Sequence, residues 1–415
     1  MAGEVAAARR PRGRRGQILL AAAEQFHRRG YHQVAMAEVA AAVGITAPAL
    51  YRHYRGKPEL LRQAVRGGLA ALDGAVAAAG ARADAGPRGL AVALAGVALE
   101  HRALGTLWQR DARLLPPAQR AELRRQLRAT VRAASRQLTA ARPELSRSQA
   151  ELLVAAALSA AGSLSYHTFA PPRRRFEQLL TALLEGLLRA PVDGPPVGWP
   201  SVGGPAPLRR GGGAGEPVGR REELLAAAVR LFDEHGFDNV STDRIGAAVG
   251  IAGPSLYKHF PAKVDLLAAA LVRCRERLWH EVAGTLSGPD ASLERGLAAY
   301  LDFARRHHHY LGAMVSETER LAEPDRSRAV DFRRDFLRLW VDLLRRRRPE
   351  YDKAEARIRV HAMFAVVNDG VRQPAWRDRP APGLELLAAT VLGPAEPGNG
   401  PGAGPAVPDP PRGVR

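Results

Sequence analysis

One cysteine in 415 residues, Cys274, rules out an internal disulfide framework and suits a reducing compartment. Lysine is almost as scarce: Lys57, Lys258, Lys263 and Lys353 are the four, and every other basic side chain is arginine. Aromatic residues make up 6 %, while alanine, leucine and arginine abound, a balance that favours helices over strands. Long apolar runs are missing too. The longest weakly polar stretch, Leu152 to Leu164, falls short of the roughly 20 residues a membrane span needs. The first residues lack the basic-then-apolar pattern of a secretion signal. The expectation is a soluble, cytoplasmic protein with no membrane partner.

The chain does carry a large positive charge, formally +19, which suits a polyanion such as DNA. The arginine skew, with so much Ala, Gly and Pro, also matches the codon bias of a GC-rich genome, so most single arginines are read as solvated helix faces. Two stretches lack the composition of a folded segment. Residues 191–219 contain 16 Pro or Gly in 29 and read as a linker; residues 394–415 contain 12 in 22 and read as a disordered tail. Two blocks of nearly equal length remain.

The blocks repeat one another. A shift of 206 lays Arg15–Leu61 on Arg221–Leu267 without a gap, with 19 identities in 47 positions. Ala-Ala-Val-Gly-Ile stands at 41–45 and again at 247–251, and Arg-Pro-Glu at 142–144 and 348–350. An offset kept over more than a hundred residues implies duplication of a whole unit. Within each block apolar residues recur at helical spacing, as in Ile18, Leu19, Ala22, Ala23 and Phe26, or Leu224, Leu225, Ala228, Val229 and Phe232. Further helices are expected over 58–79, 87–105, 117–141, 147–168 and 174–189, then over 264–287, 291–310, 324–346, 353–369 and 383–392. The fold class is all-α.

Each block opens with a three-helix plan. The first helix stops near Gly30 or Gly236, the second at Gly44 or Gly250, the glycine of a tight helix-helix turn, and the third starts with Pro48 or Pro254 in its first turn. That third helix reads Leu-Tyr-Arg-His-Tyr at 50–54 and Leu-Tyr-Lys-His-Phe at 256–260. Leu50 with Tyr54, and Leu256 with Phe260, share a face that can be buried, which leaves the polar residues between them facing outward. Lys57 and Lys263, two of four lysines, occupy equivalent places in an arginine-rich chain.

Residues 44–61 and 250–267 resemble the DNA-binding region of the TetR family. The resemblance implies two tandem units, each a helix-turn-helix headpiece (9–61 and 220–267) followed by a helical effector and dimerisation domain (62–190 and 268–393). It implies that the partner is a double-stranded DNA operator, that positions 46, 47, 49 and 52 and their counterparts 252, 253, 255 and 258 approach bases, and that the following tyrosine, histidine and lysine hold phosphates. The DNA-binding set is thus Thr46, Ala47, Ala49, Tyr51, Arg52, His53 and Lys57, with Thr242, Gly253, Ser255, Tyr257, Lys258, His259 and Lys263 in the second unit. One departure stands out: the family's Ser or Thr before helix two is present as Ser241-Thr242 but replaced by Ala35-Met36, at a cost of about 1 kcal/mol for a lost cap. A basic arm of Arg9, Arg10, Arg12, Arg14 and Arg15 would compensate by reaching phosphate or the minor groove; a plain basic terminus is the other reading.

In the family the helical domain holds a small-molecule effector, and its last two helices build a four-helix bundle. The candidates here are His101, Trp108, Tyr166 and His167 in the first unit, and Trp279, Tyr300, Phe303, Tyr310, Met314, Trp340 and Phe364 in the second, each weighed against plain core packing. The bundle forms either within one chain, as a pseudo-dimer, or between two chains as a homodimer; the tether favours the first. The function implied is a transcriptional repressor released by its effector, and the alternative is an effector-independent, architectural DNA binder with one working headpiece. An enzyme is not expected. His307, His308 and His309 point about 100° apart on a helix and cannot close a metal site, the glycines of 211–215 lack a strand before and a helix after, and no cofactor is implied.

Overall fold

The computed structural model describes residues 13–82, 86–191, 219–373 and 382–393. The described residues contain helices and no strand. The first unit runs α1 (Arg14–Arg29), α2 (Met36–Ala42), α3 (Ala47–His53), α4 (Lys57–Gly80), α5 (Pro87–Glu100), α6 (Leu104–Gln109), a 3₁₀ turn (Asp111–Leu114), α7 (Pro117–Ala141), α8 (Arg147–Gly162) and α9 (Arg173–Arg189). The second runs α10 (Arg220–His235), α11 (Thr242–Ala248), a 3₁₀ segment (Gly253–Lys258), α12 (Lys263–Leu278, continued by a π turn, Trp279–Ala283, and Gly284–Leu286), α13 (Leu293–Glu317), α14 (Asp325–Arg347), α15 (Lys353–Gly370) and α16 (Pro382–Leu392).

The 206-residue offset holds in space as well as in sequence. Where α5 ends at His101 (φ −114°, ψ 46°), α13 is kinked at the equivalent His307 (φ −126°, ψ 27°). The helices expected over 87–105 and 291–310 therefore need correction: the first stops at Glu100, and the second passes its kink and runs to Glu317. Local signals explain most helix ends. Proline sits in the first turn of α3, α4, α5 and α7, where a missing N–H costs nothing. Ser146, Ser241, Ser292 and Asp352 accept hydrogen bonds from exposed N–H groups at the starts of α8, α11, α13 and α15. Gly30 and Gly236 both end their helices at φ 81°, a conformation that disfavours any side chain.

The apolar residues sort into two cores. Ile18, Phe26, Leu50, Tyr54 and Leu61 build the first headpiece around its own centre, closed underneath by Leu107 and Leu115. The second headpiece has no separate core: Leu224, Phe232, Leu256 and Phe260 belong to one cluster that continues through the second helical domain into α8 and α9 of the first. α8 lies along α15 and α9 meets α16, so the closing helices of both units join within a single chain. Alanines 150, 156, 157 and 160 on α8 and 356 and 362 on α15 are buried, which lets the two backbones come close. Arg175 of α9 pairs with Asp352 across this junction.

The linker expected over 191–219 lies, except for its end residues, outside the described residues, as do the tail 394–415, the glycines 211–215 and Arg9, Arg10 and Arg12. Arg14 and Arg15 correct the expected basic arm. Both belong to the first turn of α1, and they donate to the carbonyls of Val43 (3.2 Å) and His53 (3.4 Å). Arg220 and Arg221 repeat this on Val249 (3.0 Å) and His259 (2.8 Å). In both units the pair ties the first helix to the ends of the second and third.

Candidate nucleic-acid interface

The third helical segment of each unit is anchored by the two residues that share its inner face. Leu50 and Tyr54 are buried, as are Leu256 and Phe260, and the Tyr54 hydroxyl donates to the Arg15 carbonyl at 3.2 Å. Anchoring at positions four apart turns the intervening residues outward. Tyr51 and Tyr257 are each 52 % exposed, and Thr46, Arg52 and Lys258 are also exposed. Among the described residues Arg52 and Lys258 make no hydrogen bond or ion pair, so each presents an uncommitted cation beside an exposed phenol. Ala47, Ala49, His53, Thr242, Ser255 and His259 are half-buried along the rim.

Three of the expected residues do not face outward. Gly253 is buried, because its missing side chain is what lets Asp243 of α11 close over it; a Cβ there would stand 2.8 Å from the Asp243 Cγ and 2.9 Å from its Cα. Lys57 and Lys263 are committed inward. The Lys57 Nζ donates to the carbonyls of Val34 (3.0 Å) and His32 (3.3 Å) and lies 4.6 Å from the Tyr31 ring centre. The Lys263 Nζ donates to Phe237 and Val240, both at 2.9 Å, and lies 4.1 Å from the Phe237 ring centre. Desolvation lowers the pKa of both ammoniums. Their equivalent positions thus have a structural cause: each pins the start of the fourth helix to the turn after the first.

The headpieces differ where the sequences diverge. The Ser241 Oγ accepts from the Arg244 N–H at 3.1 Å, whereas Ala35 offers no acceptor. Half of a capping box survives in the first unit, since the Ala35 N–H donates to Glu38 Oε2 at 2.7 Å and Arg29 pairs with the other oxygen at 2.7 Å. The Ala35 hydrogen bond, more than Arg29, holds the Glu38 carboxyl below its ordinary range. The third segment is α-helical in the first unit and a 3₁₀ turn in the second, where Gly253 and Gly246 replace Ala47 and Ala40 and the backbones draw together.

A family model described as "Bacterial regulatory proteins, tetR family" matches residues 18–64 and again 224–270, the same 206-residue offset. The chain thus carries two TetR-type DNA-binding segments and is a DNA-binding transcriptional regulator. The transcriptional repressor KstR2 of Mycobacterium tuberculosis is 29 % identical over 135 residues, 32 % of this chain and 68 % of that protein. The transcriptional activator FasR of Mycolicibacterium smegmatis is 51 % identical over 47 residues, 11 % of this chain and 22 % of that one. Among solved structures, KstR2 of M. tuberculosis superposes with a TM-score of 0.37 at 25 % identity, covering 43 % of this chain and 96 % of that one. These relatives are regulators, which bears out the expectation that the TetR-type chain is not an enzyme.

Behind the first headpiece lies a cavity of about 1090 Å³ between α4, α5, α6, α7 and α8. His101, Trp108 and Tyr166 line it, and so do three residues of the second unit, Asp369, Arg372 and Gln373. Gln109 donates to Asp369 Oδ1 at 2.9 Å across the junction between units. Burial raises the pKa of Asp369, and it lowers that of His101. The expected residues of the second unit do not line this cavity. Phe303 and Trp340 are fully buried and Tyr310 nearly so; Trp340 belongs to an aromatic cluster with Tyr300, Phe336 and Phe364, whereas Phe303 and Tyr310 pack on the His307 ring. Trp279 is 49 % exposed beside Phe332. His167 is also corrected: it is buried against His361 of α15, ring centres 4.8 Å apart. The contribution of the second unit to the cavity was invisible to a reading that treated each block alone. Among the described residues no single helix is long and apolar enough to cross a membrane.

Proposed function

We propose that the chain is a cytoplasmic repressor that places its two headpieces on the two halves of one operator and releases it when a small molecule enters the cavity of the first unit. The observation that carries this reading is the joining of α8 and α9 to α15 and α16 within one chain, which supplies both halves of a TetR-type pair without a second copy. Exposed Thr46, Tyr51 and Arg52, and Tyr257 and Lys258, are the side chains proposed to meet DNA, with Ala47, Ala49, His53, Thr242, Ser255 and His259 at the rim. Because the two segments differ at Thr46/Ala252, Ala49/Ser255 and Arg52/Lys258, the two half-sites differ, and the operator is an imperfect palindrome.

The effector is assigned to the first unit alone. The cavity combines apolar walls with polar side chains that include His101, Trp108 and Tyr166 and with charged ones such as Arg102, Arg128 and Asp369, whereas aromatic side chains fill the equivalent space in the second unit. The second unit is then a half that reads DNA without sensing. Selection from random DNA, followed by light scattering of the complex, tests the arrangement. The expected result is an asymmetric two-part site carrying one chain. A perfectly palindromic consensus, or a stable particle of twice the chain mass on one site, would overturn it.

A further inference from the structure

The last turn of each headpiece's first helix presents carbonyls at the negative pole of the helix. In α1 the Phe26 carbonyl accepts from the Gly30 N–H at 2.9 Å, and in α10 the equivalent Phe232 carbonyl accepts from the Gly236 N–H at 2.8 Å, which leaves each a second lone pair; Asp233 follows Phe232. Arg110 donates to the Phe26 carbonyl at 2.7 Å. Arg113 donates to the Asp233 carbonyl at 2.8 Å and reaches that of Phe232 at 3.4 Å. Both arginines come from the turn that follows α6, in the first unit. The second unit has no counterpart: Ser316 and Glu319 occupy the equivalent positions.

The turn is held stiffly. Asp111, 2 % exposed, takes both arms of Arg110 at 2.7 and 3.0 Å. Glu317 of the second unit takes Arg113 at 2.9 Å, and the Arg113 Nε donates back to the Arg110 carbonyl at 3.3 Å. Asn239 of the second headpiece in turn donates to the Arg113 carbonyl at 3.5 Å. Trp108 and Gln109, immediately before, wall the cavity, and Gln109 is tied to Asp369. Six consecutive residues therefore touch the cavity and the first helix of both headpieces.

We infer that Arg110 and Arg113 are positioning residues that set both headpieces at a fixed separation for DNA, so that one turn of one unit governs both halves of the operator. The inference rests on the two-headpiece reading above. If the cavity takes the effector, a single occupancy acts on both headpieces together.

The test uses the full chain on its own selected operator, with footprinting that resolves the two half-sites, and on operators whose half-sites are moved apart by one or two base pairs. Wild type is expected to protect both halves and to lose affinity by about tenfold or more on the altered spacings, as a misplaced contact set does. Arg113→Gln should lose protection over the second headpiece's half-site while keeping the first, and should become nearly indifferent to spacing. Arg110→Gln should do the reverse, and Arg113→Lys, which keeps a cation at the helix end, should recover much of the wild-type pattern. Thermal melting identifies any variant that fails to fold, for which the lysine variant then carries the comparison. A variant with wild-type melting that keeps the spacing preference, or that weakens both half-sites equally, overturns the inference. If wild type itself protects one half-site or none, the two-headpiece reading has failed and takes the inference with it; that outcome is visible in the wild-type lane alone.

Discussion

Leu94, Thr130, Ala134 and Leu158 of the first unit stand where Tyr300, Phe336, Trp340 and Phe364 stand in the second. The backbone plan is shared, down to the break at His101 and the kink at His307, so these four pairs isolate the effect of side-chain volume. Four aromatic rings lie with their centres 5.1 to 6.4 Å apart in the second unit and leave a packed centre. Aliphatic and small residues in the same positions accompany a cavity in the first. Duplication copies a fold; the divergence that follows lets one copy specialise in stability and the other keep a space.

The largest expected effect comes from hollowing the filled unit. Trp340→Ala removes a fully buried ring and should cost about 3–5 kcal/mol, read as a lower denaturation midpoint. The reciprocal change, Leu158→Phe, places a ring where the cavity has room and should change stability by less than about 1.5 kcal/mol while reducing small-molecule binding. Equal losses from the two would erase the distinction between a packed and a hollow unit.

Acid should act next, at the junction between units. His167 and His361 leave both Nε2 atoms without a partner. Burial first, then the nearby charge of Arg102, lowers the His167 pKa to about 4; burial, His167, Arg357 and Arg102 lower that of His361 to about 3. The unfolded chain takes up protons near the ordinary 6.5 while the fold does not, so stability is full above that pH and falls as pH drops toward about 4. His361→Phe should flatten the melting temperature across this window, and an unchanged slope would show that the pair does not govern it.

The headpieces give the smaller contrasts. Gly253→Ala forces a methyl onto Asp243 and should destabilise the second headpiece by about 1–3 kcal/mol, whereas Ala47→Gly should cost the first about 0.5–1 kcal/mol. Lys258→Ala should lower the salt dependence of DNA binding by about one unit of slope. Lys263→Ala, whose ammonium is tied to carbonyls, should lower the melting point and move the slope less. Smallest of all, Ser241→Ala should cost the second headpiece about 1 kcal/mol and Ala35→Ser should return a similar amount to the first, measured by local melting.

Much of this is legible in the sequence. The repeat offset, the all-helical class, the buried Leu50 and Tyr54 and the outward Tyr51 follow from spacing alone, because a helix turns a four-residue interval into a shared face. The roles of Lys57 and Lys263 were not legible: an equivalent position in both copies signals a duty, and spacing cannot say whether a carbonyl or a phosphate fulfils it. The packing of Gly253 was not legible either, because Asp243 closing over it is a contact between two helical segments. Asp369 and Arg372 reach the first unit's cavity from the other end of the chain, and aromatic residues in the second unit announce bulk without saying whether they line a space or fill it.

The first headpiece shares its apolar core only with α6, the turn after it and the start of α7, while that of the second merges with everything behind it. Cooperative units follow such boundaries, so the first headpiece is the part able to open without opening the remainder. Its backbone amides should exchange with solvent sooner than their counterparts 206 positions later, and a protease should cut there first. On DNA the same boundary sets an order of departure. If both headpieces hold DNA as proposed, the first half-site should be vacated and reoccupied more often than the second, which is moored to the bulk of the molecule.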